Sequence, residues 1–213
     1  MDMHADMRAT ANSQIGSYLE EGVNVVDEGR KLRLGMLFYI CNDIILAIFF
    51  VGSYIFLRGY NTNLRWFPPG TPQPPFGYLF WIMIIAVVGA ISYYIGERAL
   101  AMDLVPIFRL MALIALLAYL VDLAAQVWVL GRLPFTVQDG SFATSFIVLS
   151  GYHVYHMALG VFLGLGIVNR ARLGKYSRSN KDGVTIVGYY WYWAAAYAIA
   201  FWLLVIIQPP VIK

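Results

Sequence analysis

Four side chains in a 213-residue sequence have the types and spacing for proton or metal chemistry: Asp43, Asp122, His153 and His156. All four fall inside long apolar stretches, where an ionisable group costs about 2.5–3.5 kcal/mol on insertion scales and therefore faces a partner or a cavity. His153 and His156 are three residues apart, so on a helix they point to roughly the same face. One face cannot supply both axial ligands of a haem. A copper or zinc site would need one or two further ligands at the same depth, and Asp43 is the plausible contributor. His4 sits in a polar N-terminal segment, and Cys41 is the only cysteine, which excludes an intramolecular disulfide and a thiolate cluster. A small apolar role within a helix suits Cys41. No phosphate-binding glycine loop is visible. The chain is expected to carry no metal and no other cofactor.

The elements that hold these groups follow from composition. Hydrophobic residues make up 60% of the chain and charged residues 13%, about half the charge of a soluble domain. Five segments meet the length of about 20 apolar residues needed to cross a bilayer: about 34–57, 76–95, 110–130, 142–168 and 184–207. The fold expected is all-α, a polytopic bundle of five transmembrane helices spanning residues 31–213 as one domain, behind a polar cytoplasmic tail of residues 1–30. That tail lacks the apolar core of a signal peptide. Five prolines between Pro68 and Pro75 predict a stiff extended loop after the first span. Gln138-Asp139-Gly140 predicts a turn between the third and fourth. With the N-terminus inside, eleven of the fifteen lysines and arginines lie on the inner side and four on the outer. The positive-inside rule thus places the C-terminus outside.

Depth counting brings two of the four groups together. Asp43 lies nine residues from the inner edge of its span and His156 twelve from that of the antiparallel fourth span, roughly 14 and 18 Å deep. Such a pair suits either proton exchange or lipid binding, or a hydrogen bond that only fixes packing. Asp122 has no obvious partner in the chain. Gly160-x-x-x-Gly164, with Gly166, and the alanines at 194, 195, 196, 198 and 200 predict close helix approach, within the chain or to a partner subunit.

The stretch Pro134-Phe135-Thr136, Asp139-Gly140, then Ser150-Gly151-Tyr152-His153-Val154-Tyr155-His156-Met157-Ala158-Leu159-Gly160 resembles the haem–copper oxidase subunit III family. Gln126, Arg170, Trp191-Tyr192-Trp193, Leu32-Arg33-Leu34-Gly35-Met36-Leu37 with Asn42-Asp43, and Trp66 with Pro68-Pro69 agree with it. The resemblance covers residues 30–207. The chain departs from the family pattern at Asp43, where the family has Glu, at Val129 (Glu) and at Ala194 and Tyr197 (His and Asp). It resembles the five-helix forms, which lack two N-terminal helices.

The resemblance implies a non-catalytic subunit of an oxidoreductase complex in a bacterial inner membrane. Such a subunit packs on catalytic subunit I, near subunit II and further small subunits, which hold the haem and copper. It binds phospholipid and sustains proton uptake, and it has no nucleic-acid role. Asp43, His156 and Arg170 become lipid or polar-cleft candidates. His153, Gly160, Gly164, Trp191 and Trp193 become interface or packing candidates, and Asp122 is an unassigned intramembrane acid. Arg170 lies about 40° from the direction of His156 and roughly 21 Å along the helix, where its guanidinium meets a lipid phosphate or simply anchors the inner edge. Two other readings stay open: a subunit III-like partner of a nitric oxide reductase, and a small transporter or proton channel.

Overall fold

The computed structural model describes the backbone of residues 3–60, 66, 70 and 72–207, and the side chains of 28–60, 66, 70 and 72–206. It contains five helices: α1 (Met3–Gly59), α2 (Phe76–Ala101), α3 (Val105–Leu130), α4 (Ser141–Arg172) and α5 (Asp182–Ile207). All five are long and apolar enough to cross a membrane, α1 through its Glu28–Gly59 part, and no strand occurs among the described residues. Helices are the form in which a chain satisfies its own backbone groups inside lipid. The placement of proline agrees: among the described residues only Pro106 falls within a helix, in the first turn of α3, where its missing N–H costs nothing. The expected spans are all present and extend by a turn or more at several ends. The N-terminal segment, expected as a polar tail, has a helical backbone continuous with the first span. Its side chains up to residue 27, His4 among them, and Pro68 and Pro69 of the proline loop lie outside the described residues.

Short connections set the order of neighbours. Residues 102–104 join α2 to α3 through a tight turn in which Asp103 takes a positive φ of 60° and the Leu104 amide returns to the Ala99 carbonyl at 2.9 Å. At the predicted 138–140 turn, the Asp139 carboxylate accepts from the Thr136 amide at 2.6 Å, and Gly140 leads into α4 at φ 112°. Trp66 is buried and meets α4, where its carbonyl accepts from the Phe142 amide at 2.8 Å. α5 packs against α1, α2 and α4, whereas among the described residues α1 meets only α4 and α5 and leaves Phe38, Ile45, Ile48, Phe49, Ile55 and Phe56 exposed.

Two apolar clusters fill the interior. One holds Tyr93, Phe108, Tyr119, Met157, Tyr190 and Trp191; the other holds Tyr54, Trp66, Phe142, Phe146, Tyr197 and Phe201. Along α1 and α4 the buried polar residues fall near the boundary between the clusters, Asp43 on α1 and Ser150, His153 and His156 on α4, and α3 adds the buried Asp122 and Gln126. Lipid drives no helix association by itself, so packing and internal hydrogen bonds must hold this bundle. Tyr119 supplies one such bond, its hydroxyl donating to the Trp191 carbonyl at 2.8 Å across α3 and α5. We expect Tyr119→Phe to lower the melting temperature of the purified protein by an amount equivalent to about 1 kcal/mol, without altering its helical content by circular dichroism.

Candidate functional site

The polar boundary contains two histidine–carboxylate pairs that lean on different helices. His156 approaches Asp43 of α1, with Nε2 2.6 Å from Oδ2. Its Nδ1 donates to the Tyr152 carbonyl at 2.7 Å, because a carbonyl only accepts. The Nε2–Oδ2 contact therefore holds one proton, carried either by the imidazole or by the carboxyl. Two further donors converge on Asp43. The Trp193 indole N–H reaches Oδ2, and the Tyr152 hydroxyl reaches Oδ1. Asp43 is only 5% exposed and His156 is fully buried. Aromatic rings enclose the imidazole: Tyr197 lies nearly parallel at 5.1 Å, and the Tyr190 hydroxyl donates to the His156 carbonyl at 2.9 Å. Depth counting along the sequence anticipated this pair.

The second pair corrects the expectation that Asp122 lacks a partner. His153 Nε2 lies 2.9 Å from Asp122 Oδ1, and both side chains are buried. His153 and His156 also part company, against the single face expected of them. Three residues turn a helix through about 300°, leaving the two side chains about 60° apart. α4 is wedged between α3 and α1, so a 60° difference sends one imidazole to each neighbour. No group of three His, Cys, Asp or Glu side chains able to hold a metal occurs among the described residues.

The glycine face of α4 receives side chains rather than the backbone it was expected to admit. A Cβ on Gly164 would lie 2.7 Å from Trp191 Cζ2, and one on Gly160 would lie 2.9 Å from Tyr119 Cδ1. The Trp191 indole fills that hollow and donates to the Gly160 carbonyl at 3.1 Å. Gly166 meets nothing, and Ala196 and Ala200 are exposed. Arg170 is also exposed, its guanidinium 5.7 Å from the Tyr176 ring centre. The structure does not bring it to Asp43 or His156.

Two polar contacts escaped the sequence reading. Glu97, near the C-terminal end of α2, accepts from the Thr185 hydroxyl at 2.7 Å and the Tyr192 hydroxyl at 2.8 Å, binding α2 to α5. Its only signal was an acid one residue before Arg98, which reads as an ordinary charged helix end. Arg33 pairs with Asp182 and ties α1 to the start of α5; Gly29 leaves room for that carboxylate. We expect Glu97→Ala, by stranding two hydroxyls, to cost about 1–2 kcal/mol, and Arg33→Ala under about 1 kcal/mol, since that pair is half exposed. Melting of the two variants in detergent ranks them.

Five apolar helices around a buried polar boundary define an integral, multi-pass membrane protein of the helical-bundle class. Comparison with known proteins narrows the class. No family model matches the chain. It is 28% identical over 176 residues to cytochrome c oxidase subunit 3 of Thermostichus vulcanus, covering 82% of this chain and 86% of that one. It is 26% identical over 194 residues to the subunit of the same name from Polypterus ornatipinnis, covering 81% and 70%. A shorter match to that of Synechocystis reaches 32% over 87 residues, covering 40% and 37%. These relatives, all named cytochrome c oxidase subunit 3, support a place for the chain in the haem–copper oxidase subunit III family.

Proposed function

We propose that this chain is the accessory, cofactor-free subunit III of a haem–copper terminal oxidase in a bacterial inner membrane. It packs on catalytic subunit I near subunit II, whose haem and copper do the redox work. It retains phospholipid and supports proton uptake. Its N-terminus lies inside and its C-terminus outside, with residues 31–213 forming a single membrane domain.

One observation carries the lipid and proton reading: Trp193 belongs to two features at once. Its indole donates to Asp43, and it also lines an apolar groove of about 470 Å³ between α1 and α5, with Ile44, Ile48, Val51, Ile55 and Ala200. The groove suits an acyl chain, and a chain lying there presses on a residue that positions the carboxylate. Asp43 and His156 hold one shared proton between them, which is what a buffering pair beside an uptake route requires. Arg170, exposed at the inner end of α4, suits a lipid phosphate.

Asp43→Asn keeps the shape of the side chain and removes the charge. The variant complex is expected to assemble, to retain less phospholipid after detergent washing, and to lose activity progressively over many turnovers. Lipid content and sustained turnover both equal to wild type would reduce Asp43 to a packing residue.

A further inference from the structure

Six buried polar atoms on the α3, α4 and α5 side of the bundle make no hydrogen bond to another protein atom: Asp122 Oδ2, Gln126 Oε1 and Nε2, Ser150 Oγ, His153 Nδ1 and Trp202 Nε1. Gln126, Ser150 and Asp122 are fully buried and His153 is 1% exposed. Desolvated polar groups of this kind almost always have a partner, from protein or from ordered water. Three of the residues, Gln126, His153 and Trp202, line one small cavity of about 10 Å³, whose remaining walls include Leu79, Ile82 and Phe201. That is room for about one water, and a buried water needs two to four polar partners.

We propose that this cavity is a binding site for a single structural water that joins α3, α4 and α5. For the three residues that line the cavity one water supplies a partner to Trp202 Nε1, His153 Nδ1 and Gln126 Oε1, while Gln126 Nε2, Ser150 Oγ and Asp122 Oδ2 stay outside this account. His153 Nε2 faces the Asp122 carboxylate at 2.9 Å, so with its proton there Nδ1 is an acceptor. Trp202 Nε1 is a donor only, and Gln126 Oε1 is an acceptor. One water accepts from Trp202 and donates one hydrogen to His153 Nδ1 and the other to Gln126 Oε1. It thereby fixes the tautomer in which His153 donates to Asp122. The site stands apart from the α1–α5 groove and from the Asp43 pair, so it does not depend on the lipid reading.

The test is a structure of the assembled complex, resolved well enough to show ordered waters, for the native chain and two variants. The native map is expected to show one peak within hydrogen-bond reach, about 2.7–3.2 Å, of Trp202 Nε1, His153 Nδ1 and the Gln126 carboxamide. Gln126→Leu, which removes an acceptor and fills the space, should abolish the peak. Trp202→Phe preserves the aromatic packing and should reduce the peak or abolish it; it carries the test if the Gln126 variant does not assemble. A dry native cavity, with the Gln126 carboxamide bonded directly to His153 or Asp122, overturns the proposal. So does a peak that persists undiminished in Trp202→Phe.

Discussion

Trp191→Ala is expected to destabilise the bundle by about 3–5 kcal/mol, the range for emptying a large aromatic site in a packed interior. Trp191 is completely buried. Its ring stacks on Tyr119 at 4.4 Å with an interplanar angle of 16° and lies 4.6 Å from Tyr93. Its indole N–H holds the Gly160 carbonyl, and its outer ring occupies the hollow left by Gly160 and Gly164. α3, α4 and α5 thus meet on one side chain. The complementary change overfills the same space: Gly164→Ala places a methyl 2.7 Å from Trp191 Cζ2 and should cost about 1–3 kcal/mol. Since the two residues share one hollow, Gly164→Ala combined with Trp191→Phe should cost less than the sum of the single changes. Thermal melts of the four proteins in one detergent measure the coupling; strict additivity would show that the side chains do not compete for that volume.

Asp43→Leu is expected to cost as much, about 3–5 kcal/mol, by a different route. Asp43 collects His156, Tyr152 and Trp193, so its removal leaves two buried polar groups and the half-buried Trp193 indole facing an isobutyl group. Breaking one side of a buried pair is far costlier than exchanging both sides for apolar residues. The expected result is a chain that is lost from the complex on mild heating. Asp43→Asn should recover much of that loss, because a carboxamide oxygen still accepts. The double change Asp43→Leu with His156→Leu should also be less harmful than Asp43→Leu alone. Equal damage from the double and single variants would place the cost in shape rather than in stranded polarity.

Why some of this was legible in sequence and some was not has a physical basis. Spans are readable because lipid demands long uninterrupted apolar runs, and proline marks where they stop. Asp43 and His156 were matched because antiparallel helices share a depth scale, so counting residues from the same membrane edge is a distance measurement. Asp122 and His153 were not matched, because a helix carries no record of which neighbour stands beside each sector of its surface. The small residues of α4 announced that something approaches closely. They could not say that it would be the Trp191 indole, which reaches in from α5. Glu97 stayed hidden since its partners, Thr185 and Tyr192, lie 88 and 95 residues away and have no charge to betray them.

If this chain works as a subunit of an oxidase, its company will reveal it. The chain should be tagged, purified from its native membrane in a gentle detergent, and examined by optical spectroscopy and identification of the co-purifying subunits. A haem–copper catalytic subunit and its partner are expected to come with it, the haem spectrum to follow those subunits, and stripping them away to leave this chain colourless. Recovery of the chain alone, colourless and stable, would overturn the oxidase assignment and direct attention to transport.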